Sequence, residues 1–285
     1  MMTELKGKPV ADAVYADISQ QVSFWKEKSW NLPHLAVVLV GEDPASSVYV
    51  GNKQKACEKL DFKSTLIRLP ASTSEKDIQL VLNKLNFDSS VDAILLQLPL
   101  PKHLDSKKMI ELIDPKKDAD AMTQANLGKL ISGQQIIASC TPSGIIEILR
   151  FYKIDLVSKK MAVLGRSLIV GLPLFHLLVQ NNATVTLCHS KTENLKQVIA
   201  EMDIVFVAIG QPEFFKPTDF KKGAVIIDVG IHRNSEGLCG DVASGPSENW
   251  LSARTPVPGG VGPMTIAMLM RNTMMLAKSR RQGLA

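Results

Sequence analysis

Seven strand-like runs rich in Val, Ile, Leu and Ala constrain the fold of this chain more than any other feature. They are "HLAVVLVG" (34–41), "KSTLIRLP" (63–70), "VDAILLQLPL" (91–100), "KMAVLGRS" (160–167), "ATVTLCHS" (183–190), "DIVFVAIG" (203–210) and "AVIIDVGI" (224–231). Their Val, Ile, Leu and Ala residues follow one another instead of alternating with polar ones, as in strands buried on both faces of a parallel sheet. Helical periodicity fills the intervals at 44–60, 74–86, 105–113, 170–181 and 193–201. Strand and helix in alternation predict an α/β architecture with right-handed crossovers. The strands form two groups, and the polar stretch "DADAMTQANLGKLISGQQIIASCTPSG" (118–144) separates them as the expected domain boundary.

Composition narrows the class. With 285 residues, 45% of them hydrophobic and 21% charged, the chain has enough apolar material for two modest cores. Its formal charge of +5 comes from basic residues that are scattered, which argues against a nucleic-acid partner and suits an anionic small molecule. Cys57, Cys140, Cys188 and Cys239 lie far apart with no CxxC or Cys/His grouping. Neither a metal site nor a disulfide framework is therefore expected, and a reducing compartment is. No apolar run reaches membrane-spanning length, and the opening "MMTELKGKPVADAV" has no signal-peptide core, so the expected location is the cytoplasm.

The second half carries a nucleotide-site pattern. "VLGRSLIVG" (163–171) follows a strand and opens a helix, reading G-x-S-x-x-V-G through Gly165, Ser167 and Gly171. It is related to the G-x-G-x-x-G turn that lays a pyrophosphate on a helix N-terminus, with Ser in the middle glycine's place and the last Gly one position late. A plain strand-to-helix turn has the same spacing. An NAD site wants an acid at the end of the next strand to bind the ribose 2′-hydroxyl. Here that strand ends in "CHSKT" (188–192), so Arg166, Ser190 and Lys191 are candidates for a 2′-phosphate, favouring NADP. A solvated loop is the alternative for these three. Two more strands end in glycine turns, "VAIGQPEFF" (207–215) and "IDVGIHR" (227–233), and ligands of open α/β sheets bind beyond such strand ends.

The first half carries a polar pocket. "GEDPASSVYVGNKQKACEKL" (41–60) starts a helix with Asp43 as N-cap and Pro44 at the first helical position. Tyr49 and Lys53 are four apart and share one face, and Lys53 interrupts an apolar stripe. A lysine there either snorkels to water or is desolvated for proton transfer. Gln97 ends a strand just before prolines that stop the ladder, within reach of a substrate carbonyl or water. "PKKDADAM" (115–122) sets Asp118 and Asp120 beside two lysines. A loop carboxylate of this kind accepts two hydrogen bonds from adjacent N–H donors of a heterocycle, and a surface charge cluster is the plain alternative.

In this order, "SSVYVGNKQKAC", "LLQLPLPKHL", "PKKDADAM", "NLGKL", "CTPSGI", "GRSLIVGLP", "NNATVTLCHSKT", "DVGI", "GDV" and "TPVPGGVGPMT" resemble the bifunctional methylenetetrahydrofolate dehydrogenase/cyclohydrolase family from about position 40 to the last helix. The resemblance implies two α/β domains flanking a cleft, the second a Rossmann-like NADP-binding domain. It places the folate-binding catalytic domain at 1–139 plus 264–285, with the C-terminal helix returning to it, and the cofactor domain at 140–263. Lys53 would be the general acid/base, Tyr49 would stack on the folate's aminobenzoate and place Lys53, and Gln97 would tune Lys53. Asp120 would bind the pterin, and Gly259, Gly260 and Pro263 would line the folate site. Arg166 and Ser190 would take the NADP 2′-phosphate, the turn at Gly165, Ser167 and the backbone at Ile231 would hold other parts of the cofactor, and Thr141 would lie near the nicotinamide.

The chemistry so implied is oxidation of 5,10-methylenetetrahydrofolate with NADP+ followed by hydrolysis of the methenyl product to 10-formyltetrahydrofolate. A homodimer through the cofactor domain is implied as well. Alternatives are an NAD(P)-dependent dehydrogenase of another small acid and an inactive nucleotide-sensing relative. Two positions depart from the family's pattern. Ala121-Met122 replace its usual Gly-Phe, which strains the backbone if that site needs positive φ, and Leu60-Asp61 stand where a Gly is common. "TPVPGGVGPMT" (255–265) itself reads as a shaped crossing into the last helix, 263–281.

Overall fold

The structure, a computed structural model, describes residues 2–235, 237–245 and 249–281. In chain order the strands are β1 (Thr3–Glu4), β2 (His34–Val40), β3 (Lys63–Leu69), β4 (Ala93–Leu96), β5 (Lys160–Leu164), β6 (Thr184–Cys188), β7 (Ile204–Val207), β8 (Val225–Asp228), β9 (His232–Asn234), β10 (Gly237–Cys239) and β11 (Ala253–Arg254). The helices are α1 (Gly7–Glu27), α2 (Pro44–Lys59), α3 (Glu75–Phe87), α4 (Ser106–Ile110), α5 (Gln124–Ile131), α6 (Cys140–Phe151), α7 (Gly171–Gln180), α8 (Leu195–Ile199) and α9 (Val261–Arg281).

Two compact units result. One joins Ala13–Ala138 to Ile266–Ala285, and the other joins Met1–Asp12 to Ser139–Thr265. The first holds a three-stranded parallel sheet in the order β3-β2-β4. Leu35 to Val40 of β2 are all buried, as a central strand covered on both faces must be. One face packs Ala36, Val38, Ile94 and Leu96 against Ile78, Leu82 and Leu85 of α3. On α3 these recur at helical spacing behind the N-cap Ser74, whose hydroxyl accepts from the Asp77 amide. The last helix closes this unit from Ile266 onward, with Met268, Met270, Met274 and Ala277 buried.

The second unit holds a six-stranded sheet, all parallel, in the order β1-β11-β8-β7-β5-β6. Its core gathers Ala162, Leu164, Val205, Val207 and Ile226 with Phe215 and Phe220. The order reverses on either side of β5, the switch point at which open α/β sheets bind ligands. An antiparallel hairpin of β9 and β10 follows β8.

The strands follow the seven runs, but β3 and β6 lie at the edges of their sheets and are exposed or half-buried along most of their length instead of covered on both faces. Three further features depart from the sequence expectation. The polar stretch 118–144 holds a division between the two units, between Ala138 and Ser139, but it also contains α5 and the start of α6, which its composition did not indicate. Pro142 lies in the first turn of α6, where its missing N–H costs nothing. Gly144 is required because a Cβ there would come within 2.6 Å of Met264 Cβ. The N-terminal helix α1 also went unread, although Val10, Val14, Ile18, Val22 and Trp25 bury one stripe along it. Finally β1, two residues long, pairs with β11 some 250 positions later, Thr3 opposite Ala253, a contact that local pattern does not encode.

Candidate active site

Helix α2 begins as its residues require. Asp43 caps it by accepting the Ser46 amide at 2.7 Å, and Pro44 supplies the first turn. One turn apart on this helix, Tyr49 is 43% exposed and Lys53 only 8%. Strand β4 ends at Leu96, and the Gln97 amide still donates to Val38 O at 2.9 Å before the cis Leu98–Pro99 peptide takes the chain out of the ladder. Gln97 is thus delivered to the carboxyl end of the sheet, where its Oε1 accepts from Lys53 Nζ at 2.7 Å. Its own amide nitrogen donates to Leu98 O at 2.5 Å, which fixes the side-chain amide with its oxygen toward the lysine. The lysine therefore does not snorkel, and the structure brings Lys53 and Gln97 together.

The acidic loop is not a surface charge cluster. Lys117 and Asp118 are each 2% exposed. Lys117 Nζ donates to Leu85 O at 2.8 Å and Asp88 O at 2.7 Å, placing a cation on the carboxyl end of α3, and burial pulls its pKa down. The Asp118 carboxylate accepts the Thr123 amide at 2.8 Å and Asn126 Nδ2 at 3.0 Å, and burial pushes its pKa up. Bonds between Ile94 and the backbone at Lys117 and Ala119 continue the sheet beyond β4. From α9, Asn272 Nδ2 donates to both Ala119 O and Ala138 O at 2.9 Å. Half-buried Asp120 projects from the turn these bonds anchor.

Both departures from the family pattern fall in left-handed backbone. Ala121 has φ of 53° and is 3% exposed, and Asp61 has φ of 56°. Aspartate visits this region more readily than alanine does, and Asp61 is also paired with Lys26 at 2.7 Å.

The other predicted residues lie in the six-stranded unit. The turn after β5 needs Gly165, with φ of 116° and a would-be Cβ 2.3 Å from Ala208 O. The Gly165 amide donates to Cys188 O, joining the turn that carries Arg166 to the end of β6. Ser167 Oγ accepts the amides of Val170 at 3.1 Å and Gly171 at 3.4 Å, so it closes the turn that leads into α7, whose N-cap position is Val170. Arg166, Ser190 and Lys191 are exposed, and Cys188 to Thr192 carry no carboxylate. That donor set fits a dinucleotide bearing an extra phosphate and lacks the carboxylate that binds a ribose 2′-hydroxyl in NAD sites.

Thr141, in the first turn of α6, exchanges a hydroxyl hydrogen bond with Thr265 at 2.9 Å. Ile231, 44% exposed, follows β8 with its Cδ1 3.5 Å from the position a Cβ on Gly262 would take. The loop 255–260, with its cis Val257–Pro258 peptide, packs on the start of the chain: Gly259 O accepts the Gly7 amide at 2.8 Å. Gly260 is buried there and Pro263 half-buried. Gly259, Gly260 and Pro263 thus belong to the same unit as the cofactor candidates, and Tyr49, Lys53, Gln97 and Asp120 to the other.

Sequence reasoning missed a buried carboxylate pair. Asp228, 1% exposed, accepts the amides of Gly230, Asp241 and Val242 and the Arg254 guanidinium at 3.4 Å. Burial raises its pKa against those bonds. Asp241, fully buried, accepts the amides of Ile209, Gly210 and Gln211 and the ring of His232. The signal was available: "DVGI" and "GDV" each set an acid against glycine inside an apolar context.

Comparison with known proteins covers both units. Residues 5–120 match the family model described as tetrahydrofolate dehydrogenase/cyclohydrolase, catalytic domain, and residues 139–281 match its NAD(P)-binding domain. The bifunctional protein FolD of Bdellovibrio bacteriovorus is 49% identical over 98% of both chains. Among solved structures, the bifunctional FolD enzyme of Campylobacter jejuni superposes with a TM-score of 0.93 at 39% identity, covering 98% of this chain and 100% of that one. The Trypanosoma brucei dehydrogenase-cyclohydrolase, solved with NADP cofactor and an inhibitor, gives 0.91 at 33% identity over 98% and 99%. No helix among the described residues is long and apolar enough to cross a membrane.

Proposed function

The chain belongs to the tetrahydrofolate dehydrogenase/cyclohydrolase family, and on that premise we propose how its residues divide the work. It is a bifunctional enzyme of one-carbon metabolism. It oxidises 5,10-methylenetetrahydrofolate to the methenyl form with NADP+ and hydrolyses the methenyl form to 10-formyltetrahydrofolate.

The observation that carries the residue assignment is the 2.7 Å bond from Lys53 Nζ to Gln97 Oε1 at a lysine only 8% exposed. Lys53 is the proton carrier for hydrolysis, taking a proton from the attacking water and returning it to the departing ring nitrogen. Proton transfer by an amine at neutral pH is favoured by desolvation, and a neutral amide acceptor orients the amine without adding charge. Gln97 is accordingly a positioning residue for Lys53. Tyr49, exposed one turn earlier, offers its ring to the aminobenzoate. Asp120, held out by the anchored turn, accepts two hydrogen bonds from the pterin.

NADP+, when bound, supplies the hydride acceptor. On this reading the cofactor lies in the six-stranded unit, with Arg166 and Ser190 on its 2′-phosphate, Gly165 and Ser167 at the phosphate turn, the backbone at Ile231 and Thr141 nearer the nicotinamide. Gly259, Gly260 and Pro263 contribute backbone to the folate site. The unit containing Lys53 is then the catalytic domain, and the protein is a cytoplasmic homodimer formed through the cofactor unit, without nucleic-acid or membrane partners.

One assay tests the activity: absorbance with 5,10-methylenetetrahydrofolate and either NADP+ or NAD+. Faster turnover with NADP+ is the expected result, and no signal with either cofactor would remove the dehydrogenase assignment. Light scattering of the purified protein tests the dimer.

A further inference from the structure

The loop after β7 presents three consecutive backbone N–H groups, from Ile209, Gly210 and Gln211, with Gly210 at φ of 71°. Concavities of successive amides bind anions. Here the anion is internal. Asp241 Oδ2 accepts from Ile209 at 2.8 Å and Gly210 at 3.1 Å, and its Oδ1 accepts from Gln211 at 2.9 Å. These amides are therefore already occupied, and a ligand's phosphates have to be met by other groups.

The same carboxylate governs both neighbours of Ile231. On one side, a Cβ on Gly230 would lie 2.4 Å from Asp241 Oδ1, so the backbone rests directly on the carboxylate there. On the other side, His232 Nε2 donates to Asp241 Oδ1 at 2.7 Å. His232 opens β9, and Cys239 opposite it on β10 leads through Gly240 into Asp241 itself. The hairpin is thus closed at its base by one side-chain pair. Asp228 fixes the far end of the pair by accepting the Asp241 amide at 3.0 Å and lying where a Cβ on Gly240 would fall.

We propose that His232 and Asp241 are positioning residues for the cofactor: together they set the backbone at Ile231 and tie it to the loop after β7. The assignment rests on the reading of Ile231 as a cofactor contact. Neither side chain needs to touch the cofactor. His232 supplies the adjustable half of the latch, being half-buried, whereas Asp241 is fully buried and satisfies four donors.

The test is NADPH binding, followed by its fluorescence, in His232→Ala, His232→Gln and Arg166→Ala, with thermal unfolding of each. His232→Ala is expected to weaken NADPH about tenfold, the worth of one hydrogen bond, with a melting temperature lowered by no more than a few degrees because three backbone amides still hold Asp241. KM for NADP+ should rise in step and kcat fall less. His232→Gln, which keeps a donor of similar reach, is expected to recover most of the affinity. Wild-type affinity in His232→Ala, or a loss that His232→Gln does not recover, would overturn the latch. If Arg166→Ala also binds NADPH as the unaltered protein does, the cofactor reading itself fails, and the latch with it.

Discussion

Lys53 on α2 and Gln97 at the end of β4 meet through a single 2.7 Å hydrogen bond that joins a helix to the carboxyl edge of a sheet. The bond couples the two residues functionally. Lys53→Met should cut methenyl hydrolysis by at least about a hundredfold, the usual worth of a positioned acid–base group. Gln97→Leu should shift the pH profile of hydrolysis without destroying the fold. Following the decay of methenyl absorbance checks both, and full hydrolysis by Lys53→Met would take the proton-carrier role away from it.

Arg166 follows Gly165, whose amide is bonded to the end of β6, and residues 188–192 there carry no carboxylate. Arg166→Ala should raise KM for NADP+ by about ten- to a hundredfold, as loss of a charge-assisted hydrogen bond does. The KM for NAD+ should move little. Steady-state kinetics with both cofactors decide it, and equal changes would contradict the 2′-phosphate assignment.

Ala121 sits in left-handed backbone, at a cost of about 1–2 kcal/mol relative to glycine. Ala121→Gly relieves that strain but gives up a buried methyl worth about 0.8 kcal/mol and gains about 0.4–1 kcal/mol of unfolded-state freedom. The terms nearly cancel, so the melting temperature should shift by only a few degrees. Ala121→Val, β-branched at the same φ, should be strongly destabilising. Calorimetry of the two variants tests the left-handed assignment, and a harmless valine would refute it.

Asn272 bonds two buried carbonyls, one beside the Asp120 turn and one just before α6. Asn272→Ala removes this donor from Ala119 O and Ala138 O, at about 1 kcal/mol for each hydrogen bond lost. Lower thermal stability and a raised KM for the folate should appear together. A lowered melting point with unaltered folate KM would show that the clamp does not reach Asp120.

Burial pushes the Cys57 thiol up to about 11, and its sulfur lies 3.7 Å from Met270 Sδ. Since the thiolate is the reactive form, alkylation at pH 8 should spare Cys57, Cys140 and Cys188, all buried, and begin at the half-buried Cys239. Peptide mapping after brief iodoacetamide treatment reads the order, and early labelling of Cys57 would contradict it.

What the sequence disclosed follows from how local each feature is. Parallel strands betray themselves as apolar runs, and a cap such as Asp43-Pro44 is written in adjacent residues, so β2 to β8 and α2 were legible, whereas the short β9–β10 hairpin was not. Lys53 was conspicuous because a lysine in an apolar stripe needs a reason. The pairing of β1 with β11 was hidden because two-residue strands carry no periodicity and their partners are remote. Helix α6 was masked by Pro142 and Gly144, residues that punctuate loops by propensity but here serve a first turn and a close approach to Met264. Lys117 and Asp118 looked like surface charge because sequence does not show which backbone carbonyls and amides will surround them.

The pairing of Thr3–Glu4 with Ala253–Arg254 also sets a schedule for a growing polypeptide. Strand β1 waits for β11, translated some 250 residues later, before it has its neighbour. At about 5–20 residues per second the interval is roughly 12–50 s. Throughout it the unit containing Lys53 lacks the helix whose methionines fill its core. Neither unit is a contiguous stretch of message, so each must hold an early segment open until a late one arrives to complete it.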